Sequence, residues 1–167
     1  MPYAYYQKLN AKQKVIYRRS DSITTIPLTN SKSLLTPLEQ LKMALIAEER
    51  RETESILKIL AKGILTNLKV APINIKLLDA RPSHDWGELH GLYEVSEGKC
   101  RAQITLWMRT AQQKKVVAFR TFLRTFLHEL CHHLDYELLE LDDSFHTQGF
   151  FKRESSLFKQ LVPQKTK

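Results

Sequence analysis

Residues His128-Glu129-Leu130-Cys131-His132 form an HExxH run. On a helix, imidazoles at i and i+4 project from one face, one turn apart, and both can reach one tetrahedral zinc ion. Glu129 is offset by about 100° from His128. It therefore flanks a metal instead of binding it, where it can take a proton from metal-activated water. Shuffling this composition of 6 histidines and 12 glutamates yields about 0.015 such matches. Chance is thus a poor explanation. The competing reading is a buried structural histidine pair. The position of the run within a strongly periodic helix favours the metal.

A hydrolytic zinc site needs a third protein ligand and an open fourth position. His133 lies about 140° from the His128 direction and points elsewhere, as a supporting or structural residue. Asp135 and Leu138 stand where an extended HExxHxxGxxH pattern would place its glycine and third histidine, which excludes that arrangement. His146, 14 residues after His132 and past an acidic loop, is the candidate third ligand. Glu137, Glu140, Asp142 and Asp143 are the carboxylate alternatives. Asp135, three residues after His132, either orients a ligating imidazole or is a solvated charge. Tyr136, His133, His90 and His84 are candidate donors to a developing oxyanion.

These side chains need a platform. Phe119, Phe122, Leu123, Phe126, Leu130, Leu134 and Leu138 repeat at i, i+3/i+4 and predict a helix from about residue 116 to 139. A last helix is expected over 148–161, stopped by Pro163. Upstream, Thr36 as N-cap, Pro37 at N1 and Glu39 at N3 predict the start of a long amphipathic helix ending at Gly63 or Asn67. Between the helices, 70–78, 89–95 and 100–108 read as strands. The fold class is α+β: a short mixed sheet with an edge strand beside the long HExxH helix, over residues 36–167.

Residues 1–35 carry six cations against Asp21 alone, five of the eight net positive charges of the chain. Tyr3, Tyr5, Tyr6 and Tyr17 lie among those cations. This segment is expected to be a flexible basic arm, either a tail whose tyrosines pack on the body or a DNA-binding arm whose rings stack on unpaired bases. It supplies no candidate ligand, so its loss is expected to leave the metal chemistry unchanged. Two cysteines, Cys100 and Cys131, exclude a disulfide scaffold and a four-cysteine zinc ribbon. No apolar run approaches the roughly 20 residues of a membrane span, and no secretory signal is evident. The expected location is cytoplasmic, with no membrane partner.

The strand, the helix with HELCHHLD, the acidic loop and SFHTQGFF together resemble the SprT-like zinc metallopeptidases, which include the Spartan and WLM-type proteases. His128, Glu129 and His132 match the first part of the family pattern, and His146, Phe150 and Phe151 the second. The resemblance spans about residues 86–162. It implies a small zincin-like domain, Zn2+ as cofactor, peptide cleavage with Glu129 as the catalytic base, protein or peptide substrates, and an association with DNA. It also implies that strand 100–108 is the sheet edge beside the cleft, where an extended peptide would pair, with Trp107 and Arg101 as candidates to shape its subsites and a core role as the alternative for Trp107. The chain departs from many members in lacking a C-terminal cysteine ribbon and in carrying Thr147 where glycine is common. The alternatives are a non-catalytic nucleic-acid-associated zinc protein, a regulatory peptidase with one specific protein substrate, and a metal-dependent nuclease.

Overall fold

A computed structural model describes residues 1–163, so the last four residues of the 36–167 assignment lie outside the described residues. Among the described residues there are five α-helices, a three-stranded mixed sheet and a two-stranded hairpin, an α+β arrangement. The helices are α1 (Ala11–Ser22), α2 (Leu35–Ile46), α3 (Arg50–Leu68), α4 (Phe119–Glu137) and α5 (Gln148–Leu161). The strands are β1 (Asn74–Ala80), β2 (Ser83–His84), β3 (Gly87–Glu88), β4 (Gly91–Glu94) and β5 (Gln103–Arg109). No helix among them is long and apolar enough to cross a membrane.

The main sheet has the order β1-β5-β4, with β1 parallel and β4 antiparallel to β5. This corrects the expected edge. Strand β5 is central, and Ile104 to Met108 are buried on both of its faces, as suits a strand paired on either side. Trp107 is one of these buried residues, so it shapes no subsite. The two edges are β1, beside α3, and β4, which runs beside α4 and alternates half-buried with exposed residues. Ile75 and Leu77 of β1 pair in register with Ile104 and Leu106 of β5, and these side chains enter one core with Leu57, Leu60, Phe126 and Leu130. Burial of its apolar stripe makes α4 a fixed rod through that core.

The single helix expected after Thr36 is two helices. Glu48 takes a left-handed conformation (φ 59°), and the charged run Glu48 to Glu52 offers no apolar side chain to carry a helix across the core. The start also differs. A 3-10 turn over Ser31–Leu34 leads directly into α2, so Thr36 and Pro37 lie inside its first turn and no side chain caps it.

Residues 1–35 do not stand as a free arm; the described contacts agree with the alternative in which the tyrosines pack on the body. Ala4–Lys8 form a 3-10 turn, and α1 carries an Asn10–Gln13 capping box and packs against α5. Tyr17 and Ser20 are buried. The tyrosine rings pack edge to face, with Tyr5 and Tyr6 at 5.6 Å and 5.0 Å from Tyr17, and Tyr17 meets Phe145 at 6.2 Å. Aromatic area that would cost free energy in water is buried against the body instead.

Candidate metal centre

Helix α4 sets His128 and His132 one turn apart, and the return through residues 138–147 brings His146, 14 residues after His132, back to them. One donor nitrogen from each of the three rings lies within 4.8 Å of the others, close enough to bind one metal ion. His132 Nε2 and His146 Nε2 are 3.0 Å apart. Two nitrogens about 2.05 Å from a tetrahedral zinc would stand about 3.3 Å apart. The carboxylate alternatives stay outside this cluster. Asp143 instead accepts a hydrogen bond from the Ser144 backbone (2.8 Å), and Glu137, Glu140 and Asp142 are exposed.

The far nitrogens are committed elsewhere, which fixes the tautomers. His128 Nδ1 donates to Glu154 Oε1 at 2.8 Å. His132 Nδ1 donates to Ser144 Oγ at 2.7 Å, and that hydroxyl donates on to Asp135 Oδ2 at 2.7 Å. Each Nε2 therefore presents a lone pair to the cluster. Burial, aided by His128 and His146, pushes His132 down to about 3. Partial desolvation of its ring among the other imidazoles, and His128, also lower His146. Neutral imidazoles are the form a metal requires. Phe150 is fully buried beneath the site, with its ring 4.7–5.2 Å from all three imidazoles.

Glu129 is buried beside His128, and desolvation raises its carboxyl above the usual range despite the opposing pull of His128. A carboxylate in that state is a stronger base than an exposed one. Gly91 of β4 lies so close that a Cβ there would stand 3.0 Å from Glu129 Cγ and Oε1. A cleft of about 460 Å³, bordered by β4, Glu129 and Tyr136, opens onto the three histidines. A second cavity of about 380 Å³ continues past Glu129 between His90, Thr121, Arg124 and Thr125.

His133 points away, as its angle predicts: Nε2 donates to the Ala71 carbonyl (3.0 Å) and Nδ1 accepts from Tyr93 (3.1 Å). With both nitrogens engaged it is no oxyanion donor. His84 stacks against Trp86 on the β2–β3 hairpin, at 5.1 Å. His90 borders the second cavity, which leaves Tyr136 on the cleft itself. Asp135 is no surface charge. It is fully buried and pairs with Arg153 at 3.0 Å, acting on His132 through Ser144.

Sequence reasoning missed Glu154, Ser144 and Arg153. Glu154 and Arg153 sit on α5, where only the apolar stripe carried a signal. The buried side of α5 could have pointed to them, since a charge there needs a partner. Comparison with protein-family models, curated proteins and solved structures finds no match.

Proposed function

We propose that the protein is a cytoplasmic, SprT-like zinc-dependent peptidase acting on protein substrates. The observation that carries this reading is the convergence of His128, His132 and His146 on one point, with the buried base Glu129 beside it. A purely structural zinc site has no use for a base next to its ligands. Three neutral imidazoles suit zinc, and two of them are held by oxygen acceptors in the tautomer that ligation needs. Zinc there supplies Lewis acidity, which polarises a carbonyl and lowers the pKa of water to about 7.

The chain's own residues do the rest. Glu129 takes a proton from the attacking water at its carboxylate and returns it to the leaving nitrogen. The outer edge of β4 has no partner among the described residues, and it binds extended substrate through backbone hydrogen bonds. Such pairing gives affinity with little sequence preference. Tyr136, on the cleft wall, turns its hydroxyl from Asp143, 3.5 Å away, to the carbonyl oxygen as that oxygen gains charge. The family resemblance extends the proposal to proteins associated with DNA. Five net positive charges on residues 1–35 support that extension through phosphate attraction alone.

The test is metal content together with casein hydrolysis, for wild type and Glu129→Gln, with and without single-stranded DNA. One zinc per chain is expected in both proteins, with a loss of about 10²–10⁴ in rate for the variant. Hydrolysis that survives in Glu129→Gln rejects the scheme. Activity and substrate choice indifferent to DNA remove the DNA-associated part.

A further inference from the structure

We propose that the N-terminal residues 1–22 are a buttress that holds the third metal ligand, His146, in position. The proposal rests on the three histidines holding a metal, and not on peptide hydrolysis.

His146 has no helix to hold it. It lies in the return between α4 and α5, and it is exposed. Its neighbours are held from one side by the N-terminal segment. The Tyr5 hydroxyl donates to the His146 carbonyl at 2.8 Å. The Tyr17 ring faces Phe145. Ser20 Oγ and Thr147 Oγ1 are 3.1 Å apart and both residues are fully buried. Asp21 Oδ1 accepts from the Gly149 backbone at 2.9 Å, in the first turn of α5, where a carboxylate also suits the helix dipole. Phe145, His146, Thr147 and Gly149 thus each meet a different residue of α1 or the turn before it.

A second tie reaches His132. The fully buried Arg153 donates to the Ser20 carbonyl (2.5 Å), the Ile23 carbonyl (2.6 Å), Ser20 Oγ and Asp135 Oδ1 (both 3.0 Å). Asp135 continues through Ser144 to His132 Nδ1. One polar network therefore runs from the end of α1 to His132, and the separate Tyr5 contact ties His146 to the turn before α1. Groups of this kind, one step beyond the ligands, set imidazole orientation and metal affinity. The same contacts reverse the expectation that losing residues 1–35 leaves the metal chemistry untouched.

Gly149 offers a clean perturbation. A Cβ there would stand 2.5 Å from the Ser20 carbonyl oxygen and 2.6 Å from that of Asp21, so the end of α1 must move although no ligand is altered. Asp21→Ala removes the acceptor, whereas Asp21→Asn keeps an oxygen in its place. The experiment measures zinc affinity of the full-length protein against a chromophoric chelator, with the Co2+ absorption spectrum as a second signature and the metal-free melting temperature as a control. Gly149→Ala and Asp21→Ala are expected to bind zinc roughly 10–100-fold more weakly with an altered Co2+ spectrum, and Asp21→Asn to stay within about threefold of wild type. Variants that melt earlier yet keep wild-type affinity and spectrum would show a merely structural contact and overturn the proposal. Should both disruptive variants fail to fold, Tyr5→Phe, which deletes one oxygen, carries the test. Weaker binding supports the buttress and unchanged affinity overturns it. Wild-type protein that binds neither metal would remove the metal centre itself, a different failure from variants that bind as wild type does.

Discussion

Asp135→Asn is the substitution with the largest expected cost. Asp135 and Arg153 have no exposed side-chain surface, and one oxygen of the carboxylate takes the guanidinium while the other takes Ser144. An asparagine cannot serve both. Turning its amide nitrogen toward Arg153 sets donor against donor. Turning it toward Ser144 leaves that hydroxyl, already accepting from His132, with no acceptor for its own proton. Removing one partner of a buried ion pair costs about 3–5 kcal/mol. Arg153 keeps the Ser20 and Ile23 carbonyls and Ser20 Oγ, so the low end, about 3 kcal/mol, is expected. At about 2–4 °C per kcal/mol for a chain of this size, the metal-free melting temperature should fall by roughly 6–12 °C.

Urea unfolding of the metal-free protein, with an unchanged slope, is the assay. A loss under about 1 kcal/mol would refute the claim that the pair is desolvated and essential to its neighbours. The double variant Asp135→Leu/Arg153→Met separates charge from packing. Replacing both partners with apolar groups should recover part of the loss, because no uncompensated charge then remains buried, while the Ser20 and Ile23 carbonyls and the Ser144 hydroxyl still lose their partners. A double variant no better than the single one would assign the cost to packing and the lost hydrogen bonds instead of the uncompensated charge.

Other substitutions read the site from different sides. Gly91→Ala should lower hydrolysis roughly 10–100-fold while zinc content stays at wild type, because the new methyl presses on Glu129 and on Thr125 Cγ2 at 3.1 Å; wild-type turnover would contradict the close approach. Glu129→Gln should make the metal-free protein more stable at neutral pH. The folded carboxyl is raised above its ordinary value, so the wild type loses stability as pH rises through that point, and the gain in the variant should vanish by about pH 4; urea midpoints at the two pH values check it. His132 behaves oppositely. Its folded value of about 3 lies below the ordinary 6.5, so metal-free stability should fall as pH drops through that window, and His132→Gln should flatten the fall.

Much of the site was legible because a helix writes its geometry into a short stretch of sequence. His128, Glu129 and His132 need only the 3.6-residue period to fix their directions, and the apolar stripe of α4 fixes which face is buried. His146 was reachable by elimination, since the loop between α4 and α5 is short. The sheet order was not legible: the edge place of 100–108 was an expectation of the family resemblance, and its central place depends on its parallel pairing with β1, which no local pattern encodes. The two-helix break at Glu48 hid in a charged run that also suits an exposed helix.

The N-terminal segment was misread for a related reason. Its cations face solvent and dominate the composition, whereas the contacts that place it are single atoms across more than 120 residues of sequence: Ser20 on Thr147, Asp21 on Gly149, Tyr5 on His146. No local period encodes such pairs. Yet they meet at the one ligand that α4 does not hold itself. A helix suffices to position two histidines; a third, arriving on a loop, needs an outside wall, and here that wall is the part of the chain that composition alone would discard as a tail.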